Sequence, residues 1–321
     1  MRLKLLRNAF VYQASAEHPL LPDSQQALTE LVEQRQFVPV LPSHIASTGF
    51  VAHPSTGELV TPFAGGFAFV LRMDSKILPA SAINAKAQEK VAEIEARENR
   101  KVYRKERLLI KDDVLALMIP QAFIKSRLVE VFYMPTTGRL ILSCASQSVA
   151  DETVMHVSRL YSKDDRHPNF LPIGYPHFER LSAALQRVVE RGGSAALVAG
   201  GSGGNDSTVF WFDNFVQLGF DDEKYIFRGD VIGTLSEGLL EALNNGQRVE
   251  RIGMRADGFA FRIGATGQFK TVRYDDVDVP EDLADDSAGW WRHEASVRCL
   301  SLLRAVNLLT GAIGDAPAEE E

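Results

Sequence analysis

The stretch Leu128-Val129-Glu130-Val131-Phe132-Tyr133-Met134-Pro135-Thr136-Thr137-Gly138-Arg139-Leu140-Ile141-Leu142-Ser143-Cys144-Ala145 decides how the chain is read. Two runs rich in β-branched, aromatic and leucine side chains, Leu128 to Met134 and Arg139 to Ala145, flank a Pro-Thr-Thr-Gly turn, the signature of a β-hairpin. Val249 to Arg255, Phe259 to Ile263 and Phe269 to Tyr274 repeat the pattern downstream, joined by Asp257-Gly258 and Ala265-Thr266-Gly267, and predict an antiparallel meander. Phe10-Val11-Tyr12 and Phe67 to Met73 read as further strands. Strands that arrive as hairpins, rather than alternating with helices, argue for an α+β fold with antiparallel or mixed sheets over a doubly wound parallel one.

Helical spacing appears at Ala27, Leu28, Leu31 and Val32 within Ser24 to Gln36, and again from Val149 to Tyr161. The last helix is expected over Trp290 to Leu309, with Trp291, Ala295, Leu302 and Val306 on one face and Gly311 as its stop. Between these, Ala82, Ile83, Ala87, Val91 and Ile94 predict one long helix from Pro79 through about Arg107, followed by a second helix capped by Asp112 or Asp113 and stopped at Pro120. The resulting partition is an N-terminal α/β part over 1–75, a helical arm over 76–125, an α+β part with the meander over 126–275, and a C-terminal helix with an acidic tail over 276–321.

With 45% apolar and 24% charged residues in 321, the composition is that of a globular protein and excludes wholesale disorder or a collagen-like fibre. No apolar run approaches the ~18–20 residues of a membrane span. Arg7 and Asn8 interrupt the N-terminus before a signal-peptide core can form, so a cytoplasmic protein is expected. The net charge of −7 argues at first against a nucleic-acid partner, but it is unevenly placed. Asp275 to Glu321 holds 12 acids against Arg292, Arg298 and Arg304, which leaves 32 basic and 30 acidic residues before it. In the opposite sense, Arg97, Arg100, Lys101, Arg104, Lys105, Arg107 and Lys111 face only Glu98 and Glu106, a local +5.

On a continuous helix Arg97, Arg100, Lys101, Arg104 and Lys105 fall at i, i+3, i+4, i+7 and i+8, a stripe able to follow a phosphate backbone. The competing reading is a solvated face laced with Glu89, Glu93, Glu95 and Glu98, which accounts for the first half of the helix and not for the second. Other constellations carry less. Ser202-Gly203-Gly204-Asn205-Asp206-Ser207 resembles the SGGxDS loop of the ATP pyrophosphatase (PP-loop) family, with Ala195 to Ala199 as the preceding strand and Val209 to Leu218 as the following helix, and offers a nucleotide-using enzyme as the alternative function. The same glycines also read as a flexible connector. The seven histidines show no metal-ligand spacing. Asp164-Asp165 and Asp221-Asp222-Glu223 are carboxylate clusters that read as solvated turns before two-metal sites. Cys144 and Cys299 are unpaired in spacing, and Cys144 lacks a nearby base. Trp290-Trp291 reads as core or interface before base stacking. No catalytic residue, metal site or cofactor is therefore assigned.

Taken in order, Lys76-Ile77-Leu78-Pro79, the charged helix after it, Lys111-Asp112-Asp113-Val114-Leu115 and Ile119-Pro120-Gln121-Ala122-Phe123 resemble the recombination-associated protein RdgC family. Arg7-Asn8-Ala9-Phe10-Val11-Tyr12, Phe37-Val38-Pro39, Gly49-Phe50-Val51 and Ser143-Cys144-Ala145-Ser146 extend the likeness over about residues 1–160. Farther on it thins to Asp257-Gly258 through Lys270, and Gly192 to Ser207 looks like an insertion. The resemblance implies a cytoplasmic, nucleoid-associated homodimer closed into a ring around duplex DNA, with single-stranded DNA as a further ligand, which limits the access of RecA during recombination and replication repair. It also implies DNA contacts from Lys76, Arg97, Arg100, Lys101, Arg104, Lys105, Arg107 and Lys111. Phe123, after the helix stop at Pro120, has two readings: an anchor of the arm to its own subunit, or an apolar contact across a two-fold axis.

Overall fold

The computed structural model describes residues 5–173, 178–191, 197–199, 208–220, 223–231, 233–264, 267–275, 286–310 and 313–315. In chain order, the first half consists of β1 (Ala9–Ala14), α1 (Gln25–Glu33), β2 (Ala46–Val51), β3 (Val60–Phe63), β4 (Gly66–Lys76), α2 (Ala80–Glu98), α3 (Arg104–Met118), β5 (Ile124–Met134), β6 (Arg139–Ser143) and α4 (Gln147–Ser158). The second comprises β7 (Phe170–Pro172), α5 (Phe178–Arg191), β8 (Leu197–Ala199), β9 (Thr208–Phe220), β10 (Glu223–Arg228), α6 (Ser236–Asn244), β11 (Arg248–Ala256), β12 (Phe259–Gly264), β13 (Gln268–Tyr274), α7 (Ser287–Thr310) and β14 (Ile313–Asp315). The class is α+β and the strand pairing antiparallel throughout these elements, as the hairpin signals required.

The hairpin of β5 and β6 forms in the expected register, Met134 opposite Arg139 and Val131 opposite Leu142, with Gly138 at φ 63 closing the turn. β5 begins four residues before the expected strand because its exposed start, Ile124 to Arg127, pairs with the far end of β4. Both faces of its second half are buried. Val129, Val131 and Tyr133 join Phe10, Leu28, Val32, Leu140 and Val149 beneath α1 and α4. Phe132 and Met134 point the other way, into a cluster with Leu185, Leu239, Trp291 and Leu302 from the helices α5, α6 and α7. Cover on both sides explains why Leu128 to Met134 reads as an apolar run interrupted only by Glu130 and not as the alternation of a half-exposed sheet.

One path of pairing runs β14-β8-β9-β11-β12-β13-β1-β6-β5-β4-β2, with β10 beside β9, β3 beside β4 and β7 beside β1. The halves meet where β1 pairs with β13 over Ala9–Phe269 and Phe10–Gln268. The junction is reinforced by Val272 N–H donating to the Arg7 carbonyl (2.8 Å) and the Gln268 side chain donating to the Ala145 carbonyl (2.6 Å). α7 then returns to the first half. Trp291 lies 4.2 Å from the His53 ring and stacks on Phe132. Arg292 meets Glu58 at 2.9 Å, Ser296 accepts from Ala64 N–H, and Arg298 donates to the Leu5 carbonyl at 2.7 Å. Beneath Trp291, His53 and Glu130 are both buried and 3.1 Å apart. Ser55 N–H donates to His53 Nδ1, so Nε2 is the donor to the carboxylate.

Two expectations are corrected. The long helix from Pro79 to Arg107 breaks at Asn99, whose left-handed conformation (φ 46, ψ 39) ends α2. Asparagine tolerates that region because its short amide bonds locally, and it is a common helix terminator for that reason. Asp112 and Asp113 consequently lie inside α3 and cap nothing. The segment Val209 to Leu218, expected as a helix in the nucleotide-loop reading, is the strand β9, antiparallel to β8 and β11. A phosphate loop of that kind needs a helix N-terminus behind it; Ser202 to Ser207 themselves lie outside the described residues, as do 276–285 and the acidic end 316–321.

Trp291→Ala should cost about 3–5 kcal/mol in urea unfolding, as a buried tryptophan that leaves a cavity does; a loss below ~1 kcal/mol would show that α7 contributes little to the fold. Asp74, 3% exposed, accepts from Arg72 Nε (2.9 Å) and Nη2 (2.8 Å), and these bonds hold its carboxyl below the ordinary 3.8. A lowered folded value means the stabilisation is complete above the unfolded pKa and is lost as pH falls through the folded one. Asp74→Asn should therefore melt earlier than the parent at neutral pH, and the gap in melting temperature should close as pH drops below 3.8.

Candidate nucleic-acid interface

α2 and α3 pack on each other through a small apolar cluster of their own, Ile83, Ala87, Val102, Ile110 and Val114, separate from the two clusters of the sheet. The turn between them is held from inside. Glu95 accepts from Val102 N–H at 3.0 Å and from Arg107 at 3.4 Å, and the backbone bond, followed by the guanidinium, keeps its carboxyl below the ordinary range. Arg100 is gripped by Glu98 (2.8 Å) and by both oxygens of Glu106 (2.8 and 2.7 Å), which raises its own pKa. Arg97 donates to Glu98 at 3.0 Å.

The seven cations expected to act alike thus fall into two sets. Arg97, Arg100 and Arg107 belong to the ion-pair network that shapes the turn. Lys101, Arg104, Lys105 and Lys111 make no ion pair among the described residues and are exposed, Lys101 adding only a longer-range attraction to Glu95. At 100° per residue, Arg104 and Lys111 share one side of α3 and flank the stripe of buried Ile110 and Val114, whereas Lys105 lies on the opposite side. The continuous stripe is replaced by a shorter patch, because the break at Asn99 turns Arg97 away from the register of α3.

Lys76 does not belong to this surface. It is 8% exposed, and its ammonium donates to the carbonyls of Pro42 (2.6 Å) and Leu41 (3.2 Å), tying the 38–44 segment to β4. A lysine so buried and bonded cannot meet a phosphate. Phe123 is the opposite case. It follows the short 3-10 turn Ile119–Gln121 and is 85% exposed, with Ile77 and Ile124 half-exposed beside it. Its carbonyl accepts from Ile77 N–H (2.8 Å), so the backbone is fixed while the ring reaches solvent. The reading of Phe123 as an intramolecular anchor is thereby removed.

Elsewhere the side chains with chemical potential are engaged or dispersed. Burial pushes the Cys144 thiol up to about 12, away from the range of a nucleophile, and Cys299 is raised by complete burial. Trp291 is core. Asp164 and Asp165 sit in a tight turn bridged by Lys163 and Arg166, both at positive φ (52 and 59). Asp221 and Asp222 lie outside the described residues. Among the described residues, no group of three or more His, Cys, Asp or Glu side chains is placed to hold a metal ion, and no helix is long and apolar enough to cross a membrane.

Comparison with known proteins bears on the half that carries α2 and α3. Residues 5–164 match the family described as "Putative exonuclease, RdgC". The Recombination-associated protein RdgC of Pseudomonas putida (strain GB-1) is 32% identical over 149 residues, 46% of this chain and 48% of that protein. Those of Laribacter hongkongensis (35% over 133 residues, 40% of this chain and 44% of that protein) and Actinobacillus pleuropneumoniae serotype 3 (29% over 150 residues, 46% and 48%) are similar in extent. The chain spans about half the length of the curated relatives it matches. The matched segment contains β1 to β6, the helical hairpin with its four unpaired cations, and Phe123. Through residues 5–164, this chain belongs to the RdgC family.

Proposed function

We propose that the protein binds duplex DNA without sequence preference, as a ring-shaped homodimer associated with the nucleoid, and moderates RecA-dependent recombination and replication repair. The observation that carries the reading is the set of cations Lys101, in the turn before α3, and Arg104, Lys105 and Lys111 on α3, exposed and without ion pairs among the described residues. Cations already matched by carboxylates gain little from a phosphate, whereas unmatched ones release condensed counterions when they meet it. Such contacts fix position on the backbone and read no bases, which suits binding indifferent to sequence. The names of the relatives, recombination-associated proteins, supply the biological setting.

The homodimer rests on Phe123. An aromatic ring 85% exposed, flanked by half-exposed Ile77 and Ile124, is an apolar patch placed to be covered by its own copy across a two-fold axis. Two contacts close a ring of two subunits, and the smaller is the natural gate for DNA to enter.

Replacing Lys101, Arg104, Lys105 and Lys111 by Gln should make the slope of log K against log salt shallower by up to ~3.6 per protomer, about 0.9 for each lost phosphate contact, equally for unrelated duplexes. The matched change of Arg97, Arg100 and Arg107 should affect the slope less and thermal stability more; equal slopes in parent and quadruple variant would remove α3 from the interface. Phe123→Ser should leave the melting temperature near that of the parent while lowering self-association in sedimentation and weakening duplex binding. Unchanged sedimentation and binding would end its role in closure.

A further inference from the structure

Helices α5, α6 and α7 cover one face of β9, β11, β12 and β13, where Phe212, Ile252, Met254, Phe261 and Ile263 are buried. The opposite face presents cations. Pairing lines them up in rows: Arg262 lies between Gly253 of β11 and Lys270 of β13, Ala260 lies between Arg255 and Arg273, and Arg251 stands opposite Gly264. Paired residues share a face of a sheet, as do residues two apart along a strand, so Arg251, Arg255, Arg262, Lys270 and Arg273 project together.

This face has little countercharge. Asp213 reaches Arg273 at 3.4 Å, and Glu250 is taken up by the Gln217 amide (2.7 Å) and Lys224 (3.9 Å). Arg251, Arg262 and Lys270 make no ion pair among the described residues. The Arg262 guanidinium instead lies 4.2 Å over the Phe215 ring, and that of Arg255 5.8 Å over Trp211. Stacking of this kind orients a guanidinium by its face and leaves its N–H edge for an anion. The Lys270 ammonium is disfavoured by burial and by Arg251 beside it, a collection of like charge with nothing to relieve it. The result is a small recess of about 120 Å³, open to solvent and lined by Phe215, Arg251, Arg262, Gly264, Lys270 and Thr271.

We propose that this sheet face is a second DNA-binding surface, distinct from α3, in which Arg251, Arg262 and Lys270 receive the phosphodiester backbone. The proposal rests on the DNA-binding reading above and places a contact in the half of the chain beyond residues 5–164. A row suits a backbone better than a single small anion. Three neighbouring strands at ~4.8 Å spacing spread the cations over roughly 10 Å, the axial length of about three phosphates of one strand at ~3.4 Å each. Arg255 and Arg273 extend the row at its flank.

The test is R251Q/R262Q/K270Q in the full chain, titrated by fluorescence anisotropy with a duplex of about 30 bp at several salt concentrations. Weakening of at least about tenfold at low salt is expected, with a salt slope shallower by up to ~2.7 and thermal unfolding unchanged. The conservative R251K/R262K/K270R should keep the parental slope; if it loses as much as the Gln variant, the effect is on the fold and the proposal fails. Parental affinity and slope in the folded Gln variant would overturn it too, while weakening by the α3 substitutions alone would leave the wider DNA-binding reading standing. Failure of the parent to bind duplex DNA removes both. Inorganic phosphate that displaces the duplex at constant ionic strength in the parent, and not in the Gln variant, would mark a small-anion pocket and overturn the backbone assignment.

Discussion

Burial of β5 on both faces is the constraint from which the rest of the fold follows. An antiparallel strand with Val129, Val131 and Tyr133 on one side and Phe132 and Met134 on the other needs apolar cover twice. α1 and α4, drawn from its own half, supply the first cover. The second comes from α5, α6 and α7, which lie far along the chain, and this ties the C-terminal half to the N-terminal one more firmly than the two-residue pairing of β1 with β13 could. Glu130 is the one carboxylate on that strand, and its place beneath Trp291 demands a partner, because a buried unpaired charge costs several kcal/mol. His53 meets that demand from the loop before β3, so the α7 contact is specific as well as apolar.

Where this double cover stops, charge begins. The sheet face beyond β1, on the side away from α5 to α7, carries arginines at the positions that α1 and α4 would otherwise protect. The α2 and α3 hairpin has a core of its own too thin to bury more than one side of each helix, and its outer surface mixes charged side chains with the exposed Leu108, Leu109 and Leu117. Both surfaces answer the same physical problem, a secondary structure with only one partner. They differ in how the charge is balanced. Around Asn99 the carboxylates of Glu95, Glu98 and Glu106 neutralise three arginines and make the turn rigid; on β11 to β13 aromatic rings take the place of acids, which supports the guanidinium without cancelling its charge.

The hairpin, the meander and α7 were legible because local turn chemistry and long periodic runs specify them without help from the rest of the chain. α5 was equally periodic, with Leu181, Ala184, Leu185, Val188 and Val189 at helical spacing, yet it is hard to weigh beside a glycine-rich segment that draws the eye to a loop. β9 was misread for a physical reason. Phe210, Phe212, Val216 and Leu218 are compatible with a helix or a strand, and only pairing with β8, β10 and β11 decides. The break at Asn99 had a readable signal, an asparagine after a charged run, overridden by the periodicity on either side. Ion pairing was beyond sequence altogether. Nothing in the order of residues shows that Arg100 would fold back onto Glu106, or that Lys76 would be buried under the carbonyls of Leu41 and Pro42.

That last point changes how the charge of the chain bears on a polyanionic partner. A net −7 is a statement about titration; a phosphate senses charge within a Debye length, about 10 Å at 0.1 M salt. Before Asp275 the basic and acidic residues nearly balance, 32 against 30, so attraction depends on where pairs fail to form and not on the sum. The patch on α3 and the row on β11 to β13 are two such places. Each is small, and binding by either alone would be weak and strongly salt-dependent. In the proposed homodimer, the two places of each subunit would be doubled and would act at high effective concentration on one duplex, where linking weak contacts multiplies affinity without any new interaction. A surface assembled in this way would hold a backbone while demanding nothing of its sequence, because contacts to phosphate fix position and read no base edge.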